Sequence, residues 1–120
     1  MWVRVRLYGV LKTAAKLEQL ELELHAASSI RQLVDILVSK IARRDFETYL
    51  IDPDLKDPRP NALIMVSGTE VGALQGLDTI LREGDEIVFL PVAHGGAILN
   101  LDSRMILHSH SLYSPPRTLG

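Results

Sequence analysis

A single amphipathic helix, flanked by short alternating segments, most limits the folds available to this chain. Between Ile30 and Ile41 the apolar residues recur every three or four positions, which predicts a helix with one apolar face. Ser29 and Gln32 have the spacing of a capping box at its start, and basic residues follow near its end, where the helix dipole favours positive charge. A helix of this kind buries its apolar face against another layer of structure.

Five short segments around the helix have the residue patterns of β-strands. They are residues 2–8, 20–24, 62–66, 70–71 and 86–90. Because one helix joins the two early strands to the later ones through a right-handed crossover, this order predicts an α+β fold of the β-grasp (ubiquitin-like) type. Such a fold has a mixed sheet of four to five strands, one main helix on one face, and its first and last strands parallel at the centre.

Turns and loops are predicted between these segments. Residues 45–60 are rich in Asp and Pro, which predicts an exposed loop, and residues 77–81 are predicted as a single turn. Residues 9–16 are predicted as a turn followed by a short connection. Pro91 is expected to end the last strand, because proline has no backbone N–H to donate.

The composition excludes several classes of protein. The 120 residues suffice for one domain, and 13 basic against 15 acidic residues leave a formal net charge of -2, so no bulk positive field favours nucleic acid or acidic lipid. The absence of cysteine excludes disulfides, thiolate metal sites and thiol nucleophiles. No apolar run approaches the roughly 20 residues that span a bilayer, and the N-terminus has no leader pattern, so we expect a cytoplasmic protein without nucleic-acid or membrane partners.

The two ends of the predicted domain carry a family resemblance. The opening VRVRLYG, the capped helix and the run LREGDEIVFLPVAHGG resemble the small subunit of molybdopterin synthase and its MoaD/ThiS-like sulfur-carrier relatives over residues 1–96. The resemblance implies a carrier rather than an enzyme, with no catalytic residue and no bound cofactor. The Gly96 carboxylate would be adenylated with ATP by a ubiquitin-activating-type enzyme and converted to a thiocarboxylate. The sulfur would then be used by a partner, the molybdopterin synthase large subunit.

The residues before this carboxylate suit an arm that enters a partner. Gly95 would act as a spacer in a narrow channel, because glycine has no side chain. Pro91 would stiffen the exit of the last strand and reduce the entropy lost when a partner orders the arm. His94 also lies in the arm, at a position where a small residue is expected.

Residues 97–120 follow the second glycine, whereas the resemblance implies that Gly96 is the working C-terminus. This extension is rich in Ser and is predicted to be flexible or removed by processing. Activation at Gly96 therefore requires a protease that cuts after it. In the alternative, the two glycines only make a turn and the extension is permanent.

Three functions remain open at this stage. The first is a sulfur carrier. The longer loop at residues 45–60 and the FLPV sequence resemble the molybdopterin branch more than a thiamine-pathway carrier. The second is a protein modifier joined through Gly96 to lysines of target proteins. The third is a β-grasp interaction module that is not activated.

Other candidate residues have weaker signals. Trp2, Tyr8, Val88 and Leu90 are predicted to share the sheet face away from the helix and to form a partner interface, with burial under the extension as the alternative. The two histidines of the extension are not expected to form a metal site, and neither are the aspartates of the 45–60 loop. The acidic residues around Gly84 are interpreted as a polar turn, with steering of a basic partner as the alternative.

Overall fold

A five-stranded mixed sheet forms one layer of the computed structural model, which describes residues 1–92. In chain order the elements are β1 (Trp2–Leu7), α1 (Gly9–Ala15), β2 (Gln19–Glu23), α2 (Ile30–Ile41), α3 (Arg44–Leu50), β3 (Ala62–Val66), β4 (Thr69–Glu70) and β5 (Glu86–Pro91). The strand order in the sheet is β2-β1-β5-β3-β4. The predicted parallel pairing of the first and last strands at the centre is confirmed. The predicted extension and the arm residues His94, Gly95 and Gly96 lie outside the described residues.

One continuous core joins the inner face of the sheet to the helices. Inward residues of β1 and β5 alternate with outward ones, as the period of two requires. Helix α2 contributes the apolar face that the sequence predicts. The fully buried side chains of this core include Val5, Leu7, Leu11, Ile30, Leu33, Leu37, Phe46, Leu50, Ile64, Ile87 and Phe89.

The predicted capping box starts α2. The Gln32 backbone N–H donates to Ser29 Oγ at 3.2 Å, and the Ser29 N–H donates to Gln32 Oε1 at 2.8 Å. Two backbone donors that the helix leaves unpaired are thereby satisfied. The helix ends at Ala42, which takes a left-handed conformation with φ of 54°.

Two short helices differ from the sequence prediction. Helix α1 occupies the segment predicted as a turn and connection, and α3 occupies the first part of the predicted 45–60 loop, so both predictions were wrong there. Each helix buries a pair of residues four positions apart, Leu11 and Ala15 in α1, and Phe46 and Leu50 in α3. Helices of only two turns show little of their period in sequence, and the prolines that follow α3 dominate the composition of that segment.

The ends of the later strands also differ from the prediction. Pro91 does not end the ladder: it is the last residue of β5 and pairs with Ala62, and the Val92 N–H then donates to the Asn61 carbonyl at 3.0 Å. A proline is tolerated there because the next residue supplies the donor. Strand β4 lies one residue earlier than predicted, and the predicted 77–81 turn is a 3-10 turn at Gly76–Asp78.

The acidic loop before β3 is held by its own side chains. Asp52 Oδ1 accepts backbone N–H groups from Asp54 and Leu55, which makes a turn. Asp57 accepts the Arg59 Nε–H at 3.0 Å.

Within residues 1–92, no group of three or more metal-ligating side chains is arranged to hold an ion. No helix in this part of the chain has the length and apolar character needed to cross a membrane.

The Asp57–Arg59 pair makes stability depend on pH in the acid range. Its hydrogen bonds hold the pKa of Asp57 below the ordinary 3.8. Because the folded-state pKa is the lower one, the pair stabilises the fold above about pH 4, and this contribution is lost as the pH falls through the folded-state pKa. We expect Arg59→Gln to lower the free energy of unfolding by about 0.2–1 kcal/mol at pH 6 and by less at pH 2.5.

Urea unfolding of the wild type and the variant at both pH values measures this difference. Arg82→Gln is the matched control, because no ion pair of Arg82 is found within residues 1–92. If Arg59→Gln lowered the free energy of unfolding by the same amount at both pH values, the result would contradict the expectation.

Candidate functional site: the arm root and the outer face of the sheet

The root of the predicted arm lies at the end of the central strand. On one side Pro91 pairs with Ala62 of β3, and the next residue continues this ladder through Asn61. On the other side Pro91 packs over Gly9, at the junction of β1 and α1. Pro91 is therefore held on one side by β3 and on the other by the first residue of α1. Of the predicted arm residues, the structure places Pro91 at this root.

Gly9 is the one position here that requires glycine. Its φ of 56° lies in the left-handed region, and a Cβ atom at this position would come within 2.8 Å of Pro91 Cγ. Any other residue would be strained and would also push against the arm root. The turn that starts α1 and the last residue of β5 are thus coupled through one contact.

We expect Gly9→Ala to cost more stability than Gly84→Ala. Gly84 also has a positive φ, 84°, but a Cβ atom there would meet nothing within 4 Å. Backbone strain alone costs about 1–2 kcal/mol, and crowding against Pro91 adds about 1–3 kcal/mol to the Gly9 variant. Thermal or urea unfolding of both variants measures the difference. Equal losses of stability in the two variants would contradict this expectation, because they would mean that Pro91 can move away from the new methyl group without loss of stability.

The outer face of the sheet, opposite the helices, carries a group of apolar side chains near this root. Leu63 of β3 pairs with Leu90 of β5, and Met65 pairs with Val88. Tyr8 directly follows Leu7, whose partner in β5 is Phe89, the residue before Leu90. We call Tyr8, Leu63, Met65, Val88 and Leu90 the outer-face patch. These side chains are half-buried, except for Leu63, which is 38% exposed.

Sequence reasoning named Tyr8, Val88 and Leu90 but missed Leu63 and Met65. Residues 62–66 are an uninterrupted apolar run, so the sequence alone does not distinguish inward from outward positions. In the structure Ala62, Ile64 and Val66 are buried, which leaves the other two facing outward. If Ile64 is taken to face inward, the alternation of a strand places Leu63 and Met65 on the outer face.

Trp2 lies on the same face but at the other end of β1. The Trp2 backbone N–H donates to Glu83 Oε1 at 3.0 Å, and the Trp2 backbone carbonyl accepts the Gly84 N–H at 2.8 Å. Six residues separate Trp2 from Tyr8, which is about 20 Å along a strand. The structure therefore brings three of the four predicted interface residues together and leaves Trp2 apart. An interface role for all four stays a prediction.

Charged side chains border the patch on the side of β1 and β2. Arg4 pairs with Glu21 at 3.3 Å, and Arg6 pairs with Glu86 at 3.7 Å. The Arg6 guanidinium also lies 5.7 Å from the centroid of the Tyr8 ring, a cation–π distance. An apolar centre with a charged rim is the usual composition of a docking surface.

The acidic residues around Gly84 serve the turn that precedes β5. The Asp85 carboxylate accepts hydrogen bonds from the Ser67 hydroxyl and from the Arg82 backbone N–H, both at 2.8 Å. The Glu83 carboxylate accepts the Trp2 backbone N–H. The side chains of Glu83 and Asp85 are thus already used within the domain. This arrangement fits the interpretation as a polar turn better than a role in steering a partner.

Comparison with known proteins places this geometry in a family. The model of the ThiS family matches residues 5–96. A protein of Archaeoglobus fulgidus named "Putative sulfur carrier protein" is 35% identical over 98 residues, which cover 80% of this chain and all of that protein.

Solved structures agree with the fold. SAMP1 from Haloferax volcanii superposes with a TM-score of 0.66 at 18% identity, covering 80% of this chain and 100% of that one. The small archaeal modifier protein 1 from Methanosarcina acetivorans has a TM-score of 0.63 at 28% identity, covering 79% and 96%. The predicted β-grasp fold and the MoaD/ThiS-like resemblance are confirmed. The chain belongs to the ThiS family.

Proposed function

We propose that this protein is a ubiquitin-like sulfur carrier that delivers sulfur as a thiocarboxylate on Gly96, for the synthesis of molybdopterin. One observation carries the proposal: the match to the ThiS family ends at residue 96, the second glycine of the pair. The central strand ends at Pro91, five residues before Gly96, where it pairs with Ala62 of β3 and lies against Gly9. The choice of molybdopterin rests on the resemblance carried by the longer loop at residues 45–60 and by the FLPV sequence.

The chemistry takes place on the arm, and partner proteins supply the catalysis. A protease first cuts after Gly96, because only a free carboxylate can attack ATP. The carboxylate attacks the α-phosphate, pyrophosphate leaves, and an acyl-adenylate forms on the activating enzyme. A sulfide equivalent from a sulfur donor then displaces AMP and leaves the thiocarboxylate. The sulfur must come from outside this chain, because the chain has no cysteine.

The outer-face patch is the surface on which a partner would rest while it holds the arm. The patch lies beside the arm root, since Leu90 immediately precedes Pro91 and pairs with Leu63. Burying its apolar area would offset part of the entropy lost when the arm is ordered. We assign this surface first to the activating enzyme and then to the molybdopterin synthase large subunit.

A second candidate function is protein modification through Gly96. The similarity to the Methanosarcina acetivorans modifier protein, at 28% identity over 79% of this chain, favours it. The same acyl-adenylate would then be attacked by a lysine amine of a target protein, and AMP would leave as an isopeptide bond forms. The two functions share the protease, the activating enzyme and the arm, and they differ in the nucleophile.

Intact-mass spectrometry of the untagged protein from its own cells tests the proposal. We expect a chain that ends at Gly96 with one carboxylate oxygen replaced by sulfur. Gly96→Ala is expected to abolish this species. His94→Ala keeps both glycines and is expected to retain it. Gly96 linked to lysines would favour the modifier function, and an intact Gly120 terminus in every molecule would overturn both.

A further inference from the structure

A basic groove lies between α1 and α3, away from the outer-face patch. The two short helices pack against each other and leave an open groove with a volume of about 960 Å³. Neither the arm chemistry nor the outer face accounts for it. The side chains that matter for its chemistry are Val10, Lys12, Lys16, Arg43, Arg44 and Tyr49.

Positive charge is concentrated in the basic groove although the chain as a whole carries a formal charge of -2. Four of its lining residues are cationic, and the acidic lining residue is Asp45. Lys12 forms a long ion pair with Glu18 at 3.7 Å, with both side chains at least half exposed. Within residues 1–92, Lys16, Arg43 and Arg44 form no ion pair. These charges are therefore available to an outside anionic group.

The basic groove also presents apolar surface. Tyr49 is 52% exposed and Val10 is 43% exposed, and both line it. Tyrosine and arginine are the residue types most often found at the energetic centres of protein interfaces, because each combines apolar area with a polar group. A groove that would bind only a small inorganic anion has no use for an exposed tyrosine and valine. The combination fits an acidic polypeptide segment.

The position of the basic groove links it to the arm. Gly9 lines one end of the groove and is in contact with Pro91, the arm root. A protein that draws the arm into a channel has to cover the surface around this root. The arm root is next to both surfaces, because Pro91 lies against Gly9 of the basic groove and directly follows Leu90 of the outer-face patch.

We propose that the basic groove binds an acidic, extended segment of the protein that receives the arm. This inference rests on the proposed function for the identity of the partner, and on the groove itself for the chemistry of the segment. Opposite charges steer the encounter and fix the orientation of the arm, whereas the outer-face patch contributes the apolar burial. Binding at the groove is therefore expected to weaken as the salt concentration rises.

The first experiment tests the groove without any partner. The full chain, labelled with ¹⁵N, is titrated with a blocked deca-glutamate peptide and followed by NMR. We expect amide shifts confined to residues 9–16 and 42–49. The double variant Lys16→Gln/Arg44→Gln is expected to raise the Kd by about fivefold or more, since ion pairs across an interface contribute strongly to its stability. The spectrum itself reports whether the variant is folded.

A matched double variant separates the groove from general charge attraction. Lys56→Gln/Arg82→Gln removes the same charge from exposed positions that do not line the groove. We expect its Kd to stay within about twofold of the wild type, because distant exposed charges are screened. Equal weakening by both double variants, or shifts spread over the whole surface, would overturn the inference.

The second experiment asks whether the groove serves the arm. The Lys16→Gln/Arg44→Gln chain is expressed in its own cells, and the fraction modified at Gly96 is measured by intact mass. A severalfold drop relative to the Lys56→Gln/Arg82→Gln chain supports the inference, and an unchanged fraction overturns the assignment to the arm partner. If the wild type carries no modification at Gly96, the proposed function and that assignment both fail. The peptide titration still decides on the groove in that case.

Discussion

A Leu90→Asp chain is expected to lose at least about nine-tenths of the Gly96 modification seen in wild-type cells, because disrupting a buried interface centre costs about 1.4 kcal/mol or more. Leu90 belongs to the outer-face patch, pairs with Leu63 of β3 and directly precedes the arm root. A carboxylate there would have to be desolvated when a partner covers the patch. The measurement is the thiocarboxylated or conjugated fraction at Gly96, by intact mass.

The matched control for this prediction is Ile36→Asp. Ile36 is 36% exposed on α2, in the layer opposite the patch. The substitution at Ile36 is of the same kind as that at Leu90, because it replaces an apolar residue with aspartate on a partly exposed surface. We expect the Ile36 variant to keep most of the modification. Thermal melts establish that both variants are folded, and equal modification in the two would contradict the role of the patch.

Phe89→Ala is expected to lower the free energy of unfolding by about 3–5 kcal/mol, the range for a fully buried phenylalanine. Phe89 has no exposed surface and lies at the middle of the central strand, paired with Leu7 on one side and Ile64 on the other. Its removal leaves a cavity where the sheet meets the helices. Since small domains are stable by only about 5–15 kcal/mol, this loss removes a large part of the total. Urea unfolding measures it.

Leu90→Ala is the matched control for the core prediction. Leu90 is the next residue of the same strand but faces the outer side, where it is half-buried. We expect it to cost under about 1.5 kcal/mol, because less apolar area is lost and no closed cavity forms. Similar losses for the two variants would mean that the two faces of β5 are not divided as the structure shows.

The long elements of the fold could be predicted because their periods repeat several times. Helix α2 shows its apolar stripe over twelve residues, and the capping box at Ser29 marks its start. Strands β1 and β5 were placed to within a residue at their ends, since alternation over five or six residues is specific for a half-buried strand. From these elements the crossover rule is enough to predict the parallel centre of the sheet.

Helices α1 and α3 could not be predicted because seven residues contain only two turns. One apolar pair, such as Phe46 and Leu50, is too little to establish a period. Such helices are stabilised by packing rather than by propensity, and each here is stabilised by burial in the core and by the other. The basic groove was missed for the same reason, since it exists only where these two helices meet.

The sequence by itself determined the order of the main elements, because local periods are properties of consecutive residues. The chemistry at Gly95 and Gly96 stays a prediction that the family resemblance implies. Tertiary structure alone decided which apolar side chains face outward beside the arm. Leu63 and Met65 joined the outer-face patch, and Trp2 was separated from it, through strand pairing across distant parts of the chain. The contact between Gly9 and Pro91 has the same origin, since a turn early in the chain packs on its last strand.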